Sequence, residues 1–120
     1  MRSDGDGTQT RDMIFVEDVA YANILAAEAP VPSVAGKCFN IATGTAISNN
    51  DILDLFTENF GDTIKIKNAP ERPGDVKHTL ASTKRAEESL GFRAKTSFHE
   101  GLQKTWDWWV DVVDKEREDA

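Results

Sequence analysis

Between Met13 and Val113, short runs of β-branched and aromatic residues alternate with stretches of helical periodicity, and this alternation constrains the chain more than any other feature. A pattern that switches between strand-like and helix-like periods predicts an α/β fold, here a small, mainly parallel sheet with covering helices. Strands are expected over Met13–Val16 and Lys37–Ala42, and over Thr63–Lys67, where strict alternation would bury Ile64 and Ile66 and leave both lysines in water. A helix is expected from Glu17, with Val19, Ala22, Asn23 and Ala26 on one stripe, until Pro30 and Pro32 stop it. A second runs from the N-cap candidates Ser48–Asp51 to Gly61, and a short third from a Ser82 cap to Gly91.

The last helix is the clearest single element. Ser97-Phe98-His99-Glu100 has the form of a capping box, in which serine and glutamate side chains each satisfy an orphaned backbone N–H. Phe98, Leu102, Thr105, Trp106, Trp109, Val110 and Val113 recur at helical spacing, so this helix is expected to pack through an aromatic face. Trp108 falls off that stripe and is expected at a lobe or subunit contact, and the charged tail, 113–120, is expected to fray. With 120 residues the chain is expected to make one domain, 1–120.

Charge narrows the partners. Fourteen basic against twenty-one acidic side chains give a net charge of −7, which argues against nucleic acid or an anionic membrane surface as a general partner while permitting a local basic pocket. No stretch approaches the roughly 18 apolar residues of a spanning helix, and the one cysteine, Cys38, cannot form an internal disulfide. A cytoplasmic protein is expected. His78, His99 and Cys38 have no metal-ligand spacing, so no metal site is expected.

Two segments carry candidate binding chemistry. In Pro70-Glu71-Arg72-Pro73-Gly74-Asp75 the Pro-Gly pair predicts a type II turn, which brings the Cα atoms of Arg72 and Asp75 within roughly 7 Å. A guanidinium at the edge of such a turn suits a phosphate, and a carboxylate beside it suits ribose hydroxyls. The alternative is that Arg72 and Asp75 simply pair across a surface turn. In Gly5-Asp6-Gly7-Thr8-Gln9-Thr10-Arg11-Asp12, Arg11 stands just before an apolar run, where it is either a cation at the mouth of the sheet or part of an ordinary strand entry. The glycines are not a dinucleotide fingerprint, because the third is missing, no strand is expected before them and a strand rather than a helix follows.

Taken in order, these segments resemble the C-terminal part of the extended short-chain dehydrogenases/reductases, in the NAD-dependent, UDP-glucose 4-epimerase-like group of nucleotide-sugar epimerases and dehydratases. The resemblance lies in Gly5 to Ala20, in Phe39-Asn40-Ile41-Ala42-Thr43-Gly44, in Arg72-Pro73-Gly74-Asp75-Val76, in Leu90-Gly91-Phe92 and in Thr96 to Leu102. It implies a substrate-binding lobe in which Arg11 and Arg72 contact the diphosphate of a nucleotide sugar and Asp75 contacts the ribose. Glu17 and Asp18 match an acidic pair of the family and are read as structural, near a helix N-terminus.

The departures from that family matter as much. Its members hold NAD on an N-terminal Rossmann half with GxxGxxG and use Ser/Thr with Tyr-x-x-x-Lys, and none of these is found here; the residue four beyond Tyr21, the one tyrosine, is Leu25. The resemblance therefore implies a lobe with no cofactor and no catalytic residue of its own, inactive alone. It implies weak binding of UDP-sugars or nucleoside diphosphates. Two alternatives stand beside this: a self-associating interaction module, with a homo-oligomer expected, or a subunit completed by a separate Rossmann chain.

Overall fold

The computed structural model describes residues 1–61 and 65–118. Its chain order is β1 (Arg2–Asp4), β2 (Thr10–Arg11), α1 (Val16–Glu28), α2 (Val31–Val34), β3 (Ile47–Ser48), α3 (Asn49–Phe60), β4 (Lys67–Ala69), α4 (Lys84–Leu90) and α5 (Phe98–Glu118). This is the expected mixed α/β fold with a small parallel sheet, but the ladders are not where the sequence pattern places them. β1 and β4 pair in parallel, with Asp4 opposite Ala69, and β2 and β3 pair antiparallel, with Arg11 opposite Ile47. A parallel bridge joins Thr10 to His78.

Met13–Val16 is not a strand. Phe15 is extended and stands at the N-cap of α1, its carbonyl accepting from the amides of Asp18 and Val19, so Val16 already belongs to the helix. Lys37–Ala42 likewise enters no ladder, although Phe39 and Ile41 pack on the core while Cys38 and Asn40 stay exposed, a strand-like period of two. Both segments have strand-forming composition, but among the described residues neither meets a partner edge. In the third expected strand, residues 63 and 64 lie outside the described residues. The observed strand starts only at Lys67, and Ile66, expected inside, is exposed.

The core is small. Ala22, Ala86, Leu90 and Phe92 are buried together, with Ile14, Tyr21, Leu25, Val34, Phe39 and Ile41 packed around them. On α1 the buried stripe runs through Asp18 and Ala22, and Val19 and Asn23, expected inward, face solvent. Asp18 replaces them for a polar reason: only 3% exposed, its carboxylate accepts from the amides of Lys95 and Thr96 at 3.0 Å each, tying α1 to the segment before α5. The structural reading of Asp18 is thereby explained, through bonds to a neighbouring loop rather than to its own helix end.

The helix ends follow local chemistry. Ser48 and Asp51 form a reciprocal capping box at α3, and Gly61 closes it with φ 60°. Thr83, not Ser82, is the N-cap of α4; the Ser82 carbonyl instead accepts from the Asn40 side chain at 3.2 Å. Before α5 only half of the expected box forms. Ser97 Oγ accepts from the Glu100 amide, while the Glu100 carboxylate turns to Lys104, 3.1 Å away. The assigned helix extends to Glu118.

α5 crosses over Phe15 at Gly101, where a Cβ would lie 3.0 Å from the Phe15 ring, and its Trp106 stacks on Phe60 at 3.8 Å between centroids. Trp109, expected in the core, is 53% exposed, and Trp108 is 61% exposed. The helix stripe predicted from spacing is therefore only partly covered. The molecule's extents are 51 × 41 × 23 Å, and the radius of gyration of 17.7 Å exceeds the value of about 13.6 Å expected for a compact domain of this length. The molecule is flattened, and large apolar side chains, Val16, Trp108 and Trp109 among them, are exposed.

Candidate functional site

The site begins at the turn. The Asp75 amide donates to the Arg72 carbonyl at 3.2 Å, and Gly74 has φ 81°, as a type II turn requires of its third residue. Beyond the turn the chain runs beside β2: the Thr10 amide donates to the Lys77 carbonyl at 2.8 Å, and the Thr79 amide to the Thr10 carbonyl at 3.1 Å. That pairing carries Asp75 to Arg11, and the β1–β4 ladder carries Arg72 to Asp4. The three residues singled out in the sequence therefore lie on one polar rim, 61 or more positions apart in the chain for Arg11 and the two turn residues.

They do not pair as the simple surface-turn alternative has it. Arg11 Nη2 contacts Asp75 Oδ1 at 2.9 Å, and Arg11 Nη1 donates to the carbonyls of Thr10 and Lys77 at 2.8 and 3.4 Å. Arg72 reaches Asp4 instead, Nε to Oδ2 at 2.9 Å, and Asp4 Oδ1 takes Arg2 Nε at 2.6 Å. Lys77 lies 3.7 Å from Asp6. The cavity between these groups, about 30 Å³, has room for roughly one water. Asp4, Asp6, Glu71 and Asp75 line it together with Arg72 and Lys77, so the cations are ringed by carboxylates. The expected basic exception within an acidic surface is present only as ion pairs.

Sequence reasoning missed three acids that hold this rim in place. Asp4 sits in a strand with no apolar signal, recognisable only through its register with β4. Asp12 accepts from the Thr43 amide and hydroxyl at 2.9 and 2.6 Å and from the Gly44 amide at 2.8 Å. Burial pushes its carboxyl up, but the bonds from Thr43, Gly44 and Ala81 outweigh that and hold it below its ordinary value of 3.8. Asp6 is also held low, first by the Thr8 hydroxyl and amide, which fixes the glycine turn.

That turn does not fit a dinucleotide. A Cβ on Gly7, which has φ 76°, would fall 1.8 Å from Asn50 Oδ1, and the Asn50 amide donates to the Gly7 carbonyl at 3.0 Å. The Asn50 side chain occupies the space beside Gly7; β1 does precede the turn, contrary to expectation, because its polar residues pair with β4, but β2 rather than a helix follows. No group of three or more metal-ligating side chains assembles among the described residues. No helix there is long and apolar enough to cross a membrane.

A separate part of the surface is apolar. Ile14, Phe15, Val16, Lys104, Thr105 and Trp108 line an open groove of about 680 Å³. It continues into a second, about 250 Å³, walled by Phe56, Leu102, Trp106, Trp108 and Trp109. Lys104 caps the groove, raised above its ordinary value chiefly by its bond to Glu100, with Glu17 adding.

Residues 2–105 match the family described as GDP-mannose 4,6 dehydratase. UDP-glucose 4-epimerase 3 of rice is 34% identical over 105 residues, covering 86% of this chain and 28% of the rice protein. UDP-glucose 4-epimerase of Bacillus subtilis is 32% identical, covering 86% of this chain and 30% of that protein. The structure of UDP-glucose 4-epimerase from Thermotoga maritima with UDP-glucose superposes with a TM-score of 0.84 at 33% identity, covering 94% of this chain and 35% of that one. UDP-glucuronic acid 4-epimerase of Bacillus cereus, solved with UDP-glucuronic acid and NAD, superposes equally well, 0.84, at 26% identity over 92% of this chain and 35% of that one. The chain thus spans about 30% of the length of the curated relatives it matches.

Proposed function

The chain belongs to the GDP-mannose 4,6 dehydratase family, within the extended short-chain dehydrogenases/reductases, and from that premise we propose that it is a nucleotide-sugar-binding lobe, catalytically incomplete by itself. Arg11 and Arg72 are the diphosphate ligands and Asp75 is the ribose ligand. The observation that carries this reading is that Arg11, from β2, meets Asp75 of a turn more than sixty residues later, with Arg72 at the other end of that turn. Two guanidiniums on one edge suit two phosphates, and a carboxylate next to them suits a diol.

Binding requires exchange rather than entry into an open pocket. A diphosphate at Arg11 must displace Asp75 from the guanidinium, and the freed carboxylate is then available to ribose hydroxyls. Affinity is accordingly weak and falls with salt. Calorimetry with UDP-glucose tests this. Measurable heat at millimolar ligand, reduced tenfold or more in the Arg11→Ala, Arg72→Ala double variant, supports the reading. Binding that survives both substitutions refutes it.

The NAD seen in a relative finds no fitting cradle in the described residues, so no step of hydride chemistry is assigned to this chain. The apolar groove and the unladdered segments 13–15 and 37–42 favour a covering body that supplies both apolar contact and strand edges, as a separate Rossmann chain would. Self-association is the second reading, favoured by the exposure of Val16, Trp108 and Trp109 on one surface. Light scattering at micromolar concentration separates them. A dimer or larger particle supports self-association, and a monomer that gains mass only with an NAD-binding partner supports the subunit.

A further inference from the structure

We infer that Asp4 limits the affinity of this rim for phosphate and that Arg2 moderates that limit; the inference rests on the reading that Arg11 and Arg72 receive a diphosphate. Asp4 is immobile. Its backbone is paired with Ala69 across the parallel ladder, the next amide, Gly5, donates to the Ala69 carbonyl at 2.9 Å, and the Asp4 carbonyl accepts from Gln9 Nε2 at 2.9 Å. Its side chain is 13% exposed, while that of Arg72 is 68% exposed. A carboxylate so poorly hydrated acts on its neighbours with little screening, so its charge stays at the site whatever Arg72 does.

Arg72 approaches Asp4 through Nε. Among the described residues the two terminal nitrogens of Arg72 have no protein partner, whereas both terminal nitrogens of Arg11 are engaged. Arg72 is thus the cation that meets an anion first, with its Nε held from behind by Asp4. A phosphate accepted there lies near the Asp4 carboxylate and is repelled by it. Arg2, on the other oxygen of Asp4, offsets part of that repulsion. An asparagine at position 4 keeps an oxygen for Arg72 Nε and removes the charge.

The probe is UDP, with uridine as the ligand that lacks phosphate, measured by calorimetry at low salt on the whole chain. Asp4→Asn is expected to bind UDP about three- to tenfold more tightly than the unaltered protein and to leave uridine unchanged. Arg2→Ala is expected to weaken UDP binding, and to weaken it less in the Asp4→Asn background, because the charge it neutralises is gone. Heat in Asp4→Asn with none in the unaltered chain also supports the inference. Equal or weaker UDP binding by Asp4→Asn, while Arg11→Ala with Arg72→Ala lowers it, overturns this inference and leaves the binding reading standing. An equal loss from Arg2→Ala in both backgrounds overturns the role of Arg2. UDP affinity indifferent to both arginines, or no heat in any variant including Asp4→Asn, overturns the inference together with the reading beneath it. Thermal melts of each variant check that the fold is kept.

Discussion

The polar rim and the apolar groove are both exposed, yet they are finished to different degrees. At the rim each of Asp4, Asp6, Arg11, Arg72, Asp75 and Lys77 has an oppositely charged neighbour within 4 Å. On the groove side Val16, Trp108 and Trp109 are more than half exposed. A charged site closes on itself because ion pairs form within one chain at small cost. An apolar face has no such internal remedy, since only removal from water stabilises it. The rim is therefore read as a site that a ligand must compete to enter, and the groove as a surface that needs a second body.

That contrast can be broken most forcefully at Gly7. Its positive φ and the 1.8 Å approach of a Cβ to Asn50 Oδ1 mean that Gly7→Ala strains the turn and turns the Asn50 side chain aside, and a loss of about 1–3 kcal/mol in chemical denaturation is expected. A change under about 1 kcal/mol would show the rim to be loosely held. On the groove, Trp108→Lys with Trp109→Lys is expected to weaken association with any covering body by more than tenfold while shifting monomer stability by under about 0.5 kcal/mol. A large stability loss would mean that this face is core rather than contact.

The legibility of the sequence divides along the same line. Arg11, Arg72 and Asp75, the proposed ligands, carry local signals, turn chemistry at Pro73-Gly74 and an arginine before an apolar run, and the family resemblance joins them. Asp4 carries none, since β1 has a polar sequence whose only structural content is its register with β4. The α/β class, the Ser48 cap and the Gly61 and Gly91 stops were also local and were legible. The strands were misplaced because a β-rich run such as Met13–Val16 or Lys37–Ala42 forms a ladder only when a partner edge exists, and propensity does not report partners. Trp109 failed for a related reason: helical spacing marks which side chains share a face, not whether anything covers it.

Smaller effects sharpen the comparison further. Arg11→Ala is expected to lower UDP-glucose affinity about tenfold while costing at most about 1 kcal/mol of stability, since the pair with Asp75 is roughly a third exposed. A larger stability loss would make Arg11 a structural residue. Asp12 gives a pH signature. Its carboxyl is held below its ordinary 3.8, so its bonds to Thr43 and Gly44 contribute fully above that value and are lost as pH falls through the lower, folded one. Asp12→Asn should therefore flatten the acid limb of stability below about pH 4, by roughly 1 kcal/mol. An unchanged acid limb would place the acid sensitivity elsewhere.

Amide hydrogen exchange with and without UDP-glucose compares the two surfaces in one experiment. Added protection confined to residues 9–11 and 72–79, with segments 13–16 and 105–110 unchanged, is the result predicted for a ligand site distinct from a docking face. Protection centred on the Phe15–Trp108 groove, or on neither surface, would contradict the assignment of the rim as the nucleotide-sugar site.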